Sequence, residues 1–132
     1  DLPGSKVVVG DGPQLGELKR AYGDVHFTGA QRGEALAEHY ASADVFVFPS
    51  RTDTFGLVLL EALASGLPVA AYPVAGPLDV INGSDVGVLK EDLGTAAREA
   101  LQISPARCRD YALRFSWRAC AEQFLASVQP IR

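Results

Sequence analysis

Side chains that bind zinc or form disulfides are scarce in this chain. It has two cysteines, Cys108 and Cys120, without CxxC spacing, and two histidines, His26 and His39, which stand alone. A disulfide framework, a structural zinc site and a His-based triad are therefore not expected, and both cysteines are predicted to be small packing residues. No DxD-type motif is present either. The sequence thus indicates no metal and no cofactor.

Long apolar runs and an excess of positive charge are also absent. The longest apolar stretch, residues 57–76, is interrupted by Glu61, Pro68 and Pro73, which excludes a membrane-spanning helix. Because no signal peptide is visible, we expect a cytoplasmic protein. The net charge of −4 does not provide the basic surface that nucleic acid needs. Residues 98–132 hold six Arg and three acidic residues, so contact with an anionic membrane surface or a lipid-linked acceptor stays open.

Length and composition predict a single domain over residues 1–132. A chain of 132 residues with 48% hydrophobic side chains can bury one core and no more. Methionine is absent and the chain begins at Asp1. We therefore expect this to be a domain from a longer polypeptide.

The hydrophobic pattern predicts an α/β fold with a parallel sheet. Short apolar strands alternate with helices at the spacing of right-handed βαβ units, and the pattern then becomes all-helical. The predicted strands are residues 6–10, 25–28, 44–48, 69–72 and 86–89. The predicted helices are residues 14–22, 34–42, 56–65, 93–102, 104–114 and 117–128, with a turn or half-helix at 77–81.

The candidate site is the polar turn within residues 48–62, FPSRTDTFGLVLLEA. The N–H groups of Phe55, Gly56 and Leu57 are expected to point outward at a positive helix end, where phosphate or diphosphate binds. Glu61 is almost the only polar residue of the helix, so we expect it to be nearly buried and to need a partner. Asp53 precedes it by eight residues, at the mouth of the site. Two acids around a diphosphate receptor indicate a nucleotide-sugar site.

Simpler structural roles exist for both acids. Glu61 could be a buried carboxylate satisfied by a neighbouring Arg or a backbone N–H. Asp53 on its own could be a turn residue or a helix cap. We favour Glu61 as the acceptor for a ribose diol and Asp53 as the contact for sugar hydroxyls, because the motif and the physical argument coincide.

These residues resemble a known family. The segments ADVFVFPS at 43–50, DTFGL at 53–57 and EALASGLPV at 61–69 look like the signature of family-4 retaining glycosyltransferases of the GT-B architecture. The resemblance extends from VVVGDGP at 7–13, through VHFTG at 25–29, to Ser116 and Trp117. It therefore covers essentially the whole chain. Asp53 stands where the family usually has Glu.

The resemblance implies the C-terminal, donor-binding half of such an enzyme. The fold would be a Rossmann-like three-layer α/β domain with extra C-terminal helices, one half of a GT-B fold. Asp53 and Glu61 would be the catalytic pair, and the nucleobase would lie against the loop near Gly29 and Gln31. The expected donor-binding residues are Thr54, Phe55, Gly56, Leu57, Gly29 and Gln31.

The resemblance also implies partners. The donor would be a nucleotide-diphospho sugar, with GDP-mannose favoured and UDP-glucose or a UDP-N-acetyl-hexosamine close behind. The acceptor, a glycan or lipid, would be held by an N-terminal domain that these residues lack, so the isolated chain is expected to be inactive. A nucleotide-sugar epimerase-like domain and a non-catalytic nucleotide-sugar binding module remain alternatives.

Overall fold

The computed structural model describes residues 2–128, which form two compact units divided between Ser42 and Ala43. The first unit contains β1 (Lys6–Val9), α1 (Leu15–Ala21), β2 (Val25–Gly29) and α2 (Gly33–Ala41). Its two strands pair in parallel, with Lys6 opposite Val25, as a βαβ unit requires. The valines of β1 are 37% to 52% exposed, and no described side chain of this unit is buried.

The second unit contains more strands and helices than the first. It contains β3 (Phe46–Phe48), α3 (Leu57–Ala64), β4 (Val69–Ala71), α4 (Pro77–Ile81), β5 (Gly87–Leu89), α5 (Leu93–Ala100), α6 (Pro105–Ala112) and α7 (Trp117–Ser127). The strands form a parallel sheet in the order β3-β4-β5, with Phe46 opposite Val69 and Val69 opposite Gly87. The predicted α/β class with parallel strands and C-terminal helices is confirmed.

The hydrophobic core lies around the central strand of this sheet. All three residues of β4 are fully buried, and successive residues of a strand face opposite sides, so both faces of the sheet are covered. Helices α3 and α5 both pack against β4. Large buried side chains also come from α3, α4 and the segment before β5: Leu59, Leu63, Val80, Ile81 and Val86.

The C-terminal end of α3 is fixed by a glycine and by α6. Gly66 adopts a φ of 83°, and the N–H of Leu67 returns to the carbonyl of Ala62 at 2.9 Å, as in a Schellman motif. Arg109 of α6 donates to the carbonyl of Ala64 at 2.5 Å. These contacts hold α3 against α6 and so fix the direction of the helix that carries the candidate site.

The two cysteines have different environments. Cys108 is fully buried in α6, as predicted, and burial raises the pKa of its thiol. Cys120 is exposed, so its predicted packing role is wrong. The reason is that every residue of α7 is exposed, including Trp117 at 85%. Within residues 2–128, no helix combines the length and the hydropathy that crossing a membrane requires.

A substitution in β5 tests the close packing of the sheet against α4. A Cβ on Gly87 would lie 2.5 Å from Cδ1 of Ile81 and 2.9 Å from the carbonyl oxygen of Val69. Gly87→Ala should lower the free energy of unfolding by about 1–3 kcal/mol, because the backbone of β4 cannot move away cheaply. Thermal and urea unfolding measure this.

The matched control is Gly16→Ala in α1, where a Cβ meets no atom within 4 Å. It should leave stability unchanged or raise it slightly, since alanine is the better helix former. Equal stability of the Gly87→Ala and Gly16→Ala variants would contradict the described contact between β5, β4 and α4.

Candidate functional site

The candidate site lies where the three strands of the second unit end. In an open parallel sheet, ligands bind in the loops beyond the carboxyl ends of the strands. Here these loops are residues 49–56 after β3, 72–76 after β4 and 90–92 after β5. The first of them contains Asp53 and leads directly into α3.

Asp53 caps the turn that leads into α3, not the helix itself, whose N-cap residue is Gly56. Its Oδ1 accepts hydrogen bonds from the N–H of Phe55 at 3.0 Å and from the N–H of Gly56 at 2.8 Å. The prediction that these two amides point outward is therefore wrong. The carboxylate folds back and satisfies them, because an Asp side chain readily accepts from amides two and three residues further along a turn. Within residues 2–128, the N–H of Leu57 meets no acceptor.

Two glycines adopt positive φ angles at this point. Gly56 has a φ of 77°, a left-handed conformation that turns the chain into α3, and a Cβ there would lie 2.8 Å from Cδ1 of Leu59. Gly76, before α4, has a φ of 84°, and a Cβ there would lie 3.4 Å from the carbonyl oxygen of Asp53. The loops after β3 and β4 are thus in contact beside Asp53.

Arg51 joins all three loops. Its guanidinium carbon lies 3.6 Å from the centre of the Tyr72 ring, which belongs to the loop after β4. Its Nη2 donates to Oε2 of Glu91, in the loop after β5, at 2.9 Å. This hydrogen bond raises the pKa of Arg51, so the guanidinium stays charged.

Glu61 is exposed, so the prediction that α3 buries it is wrong. The helix buries only one stripe, formed by Leu59, Ala62 and Leu63. Glu61 lies on the opposite side of the helix. Leu57, four residues earlier, shares this side and is 61% exposed. A role for Glu61 as a buried ion-pair member does not fit this position, whereas a contact with a ligand at the surface does.

Thr54 and Phe55, the other predicted residues of the turn, are also exposed. The structure therefore brings Asp53, Thr54, Phe55, Gly56 and Leu57 together at the start of α3. Among residues 2–128, no group of three or more His, Cys, Asp or Glu side chains is arranged to hold a metal ion.

Gly29 and Gln31 belong to the first unit, at the end of β2. The carbonyl of Gly29 accepts from the N–H of Gly10 at 2.9 Å, and Nε2 of Gln31 donates to the carbonyl of Thr28 at 3.0 Å. The side chain of Gln31 thus stabilises its own turn. Contact of this loop with a nucleobase stays a prediction.

An open groove lies away from these residues, between the turn at 82–85 and α6. Its volume is about 550 Å³, and it is lined mainly by polar side chains. Two of them, Arg107 and Asp85, pair with each other at 2.7 Å. None of the predicted site residues borders it, so the groove is not where the sequence motif points.

The chain matches a known protein family over most of its length. Residues 5–104 correspond to the family described as Glycosyl transferases group 1. The chain belongs to this family. It is 43% identical to a GDP-mannose-dependent alpha-mannosyltransferase of Corynebacterium glutamicum over 74% of this chain and 25% of that protein. It is 35% identical to a sulfoquinovosyl transferase of Arabidopsis thaliana over 96% of this chain and 29% of that protein.

A solved structure shows the same fold. WaaG, a glycosyltransferase involved in lipopolysaccharide biosynthesis, superimposes with a TM-score of 0.67 at 29% identity, over 89% of this chain and 36% of that one. The predicted resemblance to GT-B glycosyltransferases is confirmed. This glycosyltransferase-family chain spans about a quarter of the length of the two curated relatives.

The sequence interpretation missed Arg51, Tyr72 and Glu91. A usable signal existed, because each of them follows shortly after a strand of the same parallel sheet. The ends of parallel strands meet at one edge, so polar residues in these positions are expected to lie near one another.

The cap made by Asp53 can be tested by amide hydrogen exchange. In Asp53→Ala, the amides of Phe55 and Gly56 lose their acceptor and should exchange about 5- to 10-fold faster, in line with the loss of one hydrogen bond each. The matched control is Asp110→Ala, an exposed acid of α6. Unchanged exchange at both amides in Asp53→Ala would contradict the cap.

Proposed function

We propose that this chain is the donor-binding part of a retaining glycosyltransferase that transfers a hexose from a nucleotide-diphospho sugar to a glycan or lipid acceptor. One observation carries the proposal. The N-terminus of α3 lies at the ligand-binding edge of a parallel sheet, with Asp53 in the turn before it and Glu61 on the exposed side of the helix. The family membership of the chain supports a sugar transfer at this edge.

GDP-mannose is the proposed donor. The relative from C. glutamicum is named as a GDP-mannose-dependent alpha-mannosyltransferase, and a relative from Mycobacterium tuberculosis with the same name is 49% identical over 63% of this chain. UDP-glucose and UDP-N-acetyl-hexosamines are the competing donors. The Arabidopsis relative is named for a different sugar, so the sugar contacts require a direct test.

The start of α3 is suited to bind the diphosphate of such a donor. The N–H of Leu57 meets no acceptor within the described residues, and the helix dipole favours negative charge at this end. The amides of Phe55 and Gly56 become available when the carboxylate of Asp53 turns toward sugar hydroxyls. In the structure that carboxylate occupies the two amides as a phosphate oxygen would.

These groups act on the charge that develops during transfer. The bond between the anomeric carbon and the diphosphate oxygen breaks, and its electron pair leaves with the diphosphate. Amides aimed at that oxygen stabilise the transition state by about 3 kcal/mol each. The acceptor hydroxyl attacks from the same side of the sugar and passes its proton to the departing diphosphate. This geometry retains the anomeric configuration.

Glu61 and Asp53 have separate tasks in this proposal. Glu61 accepts hydrogen bonds from the ribose diol and so orients the nucleotide. Asp53 holds hydroxyls of the sugar and favours a ring with developing positive charge. Holding both reactants in place supplies a large share of the rate, and that requires an acceptor-binding domain in addition to residues 1–132.

Glu61→Gln tests the ribose contact. The variant keeps the shape of the side chain but loses charge-assisted acceptance, so GDP should bind about 10-fold more weakly. Isothermal titration measures the dissociation constant. Because Glu61 is exposed, the melting temperature should hardly change.

The control for this experiment is Glu122→Gln, an exposed glutamate of α7 paired with Arg118. It should bind GDP as the unchanged chain does. A Glu61→Gln variant that binds GDP normally would overturn the ribose assignment, and so would one that loses binding only because it unfolds.

Transfer itself is tested in a polypeptide that combines residues 1–132 with an acceptor-binding domain. The isolated chain should show no transfer from GDP-mannose, UDP-glucose or UDP-N-acetyl-glucosamine. In the combined polypeptide, Asp53→Asn and Glu61→Gln should each reduce turnover by at least about 10-fold. Turnover by the isolated chain would contradict the need for a second domain, and epimerised nucleotide sugar as the product would favour the epimerase alternative.

A further inference from the structure

We propose that Arg51 is a positioning residue that fixes the loop of Asp53 by joining it to Tyr72 and Glu91. This inference rests on the proposed function, since it concerns how Asp53 is held for the donor sugar. Arg51 contributes through Asp53 and does not itself touch the substrate.

The loop after β3 needs such a connection. It runs for eight residues between the end of β3 and the start of α3. Among its contacts with the loops after β4 and β5, two bear on Asp53. One is with Gly76, where a Cβ would lie 3.4 Å from the carbonyl oxygen of Asp53, so the loop packs against the residue that precedes α4. The other is the side chain of Arg51, two residues before Asp53, which reaches the loops after β4 and β5.

The geometry uses features that only arginine has. The flat face of the guanidinium covers the Tyr72 ring at 3.6 Å, while its edge donates to Glu91 at 2.9 Å. A planar group can stack and donate in perpendicular directions at once. A lysine ammonium could pair with Glu91 or approach Tyr72, but it would not hold both in a fixed orientation.

The contact is too exposed to serve mainly as a source of stability. The side chains of Arg51 and Glu91 are 52% and 68% exposed, and ion pairs of this kind add little to the free energy of unfolding. In our proposal the contact mainly orders the loop that carries Asp53. A carboxylate that must reach particular sugar hydroxyls is effective only when its backbone is held within a fraction of an ångström.

The charges argue against Arg51 as a direct clamp for the diphosphate. The carboxylate of Glu91 neutralises the guanidinium, and the Tyr72 ring covers one of its faces. If Arg51 were nevertheless a diphosphate ligand, Glu91→Gln would release it and tighten nucleotide binding. If Arg51 positions the loop, Glu91→Gln would instead lower kcat/KM for GDP-mannose.

The experiment compares Arg51→Lys with the unchanged sequence in the polypeptide that includes an acceptor-binding domain. We expect kcat/KM for GDP-mannose to fall about 10-fold, because Asp53 is less well placed. The dissociation constant for GDP, which has no sugar for Asp53 to hold, should change less than about 2-fold. Replacing a residue that only stabilised the fold would impair the use of GDP-mannose and the binding of GDP to the same extent.

Four further variants sharpen the comparison. Arg118→Lys, at the surface pair with Glu122, is the matched control and should behave as the unchanged sequence does. Tyr72→Leu should lower kcat/KM for GDP-mannose about as much as Arg51→Lys does. Tyr72→Phe keeps the ring and should lower it less. Because Arg51 and Tyr72 act as one unit, the double variant should be no worse than about the poorer single variant.

A measurement without catalysis supports the same conclusion independently. In ligand-free Arg51→Lys, the amides of Phe55 and Gly56 should exchange faster, since the Asp53 cap is less ordered, while the amides of the buried residues Ala96 and Ala97 in α5 should not change. Unchanged kcat/KM for GDP-mannose in Arg51→Lys would overturn the inference. An equal loss of GDP binding in the same variant would also overturn it, and so would tighter GDP binding in Glu91→Gln.

The outcomes separate this inference from the proposed function. If the unchanged sequence transfers no sugar from any of the nucleotide sugars and binds neither GDP nor UDP, the proposed function is wrong and the role of Arg51 is wrong with it. If the unchanged sequence transfers mannose and Arg51→Lys does so equally well, only the role of Arg51 is wrong.

Discussion

The carboxylate of Asp53 holds the turn that leads into α3, and the rest of the candidate site depends on that contact. By accepting from the amides of Phe55 and Gly56, it fixes the backbone immediately before α3. The same carboxylate is the proposed sugar contact. Binding of a donor would therefore exchange one set of hydrogen bonds for another, with the diphosphate replacing the carboxylate at the amides.

Rigid surroundings make such an exchange useful. The buried strand β4 and the stripe of α3 that packs on the core keep the helix fixed, while Gly66 and Arg109 hold its far end. Against this background only the loop at 49–56 has to adjust. In our proposal Arg51 limits that adjustment through side-chain contacts with two neighbouring loops, which add little to the stability of the folded state.

Much of the candidate site could be predicted because its residues are close in sequence. The turn from Asp53 to Leu57 and the acid at Glu61 were found from their spacing, and the family comparison agrees with the family that this motif indicated. The direction of the amides and the burial of Glu61 were predicted wrongly. An apolar helix suggests burial on all sides, but α3 buries only the stripe that faces its neighbours, which sequence periodicity alone does not reveal.

The sequence by itself determined the α/β class, the order of strands and helices and the position of the motif, because hydrophobic periodicity and turn residues act locally. Only the tertiary structure decided that Asp53 turns back onto α3, that Gly76 approaches its carbonyl, and that Arg51 reaches Tyr72 and Glu91. These contacts join residues up to 40 positions apart. They exist because parallel strands bring the ends of distant segments to one edge of the sheet.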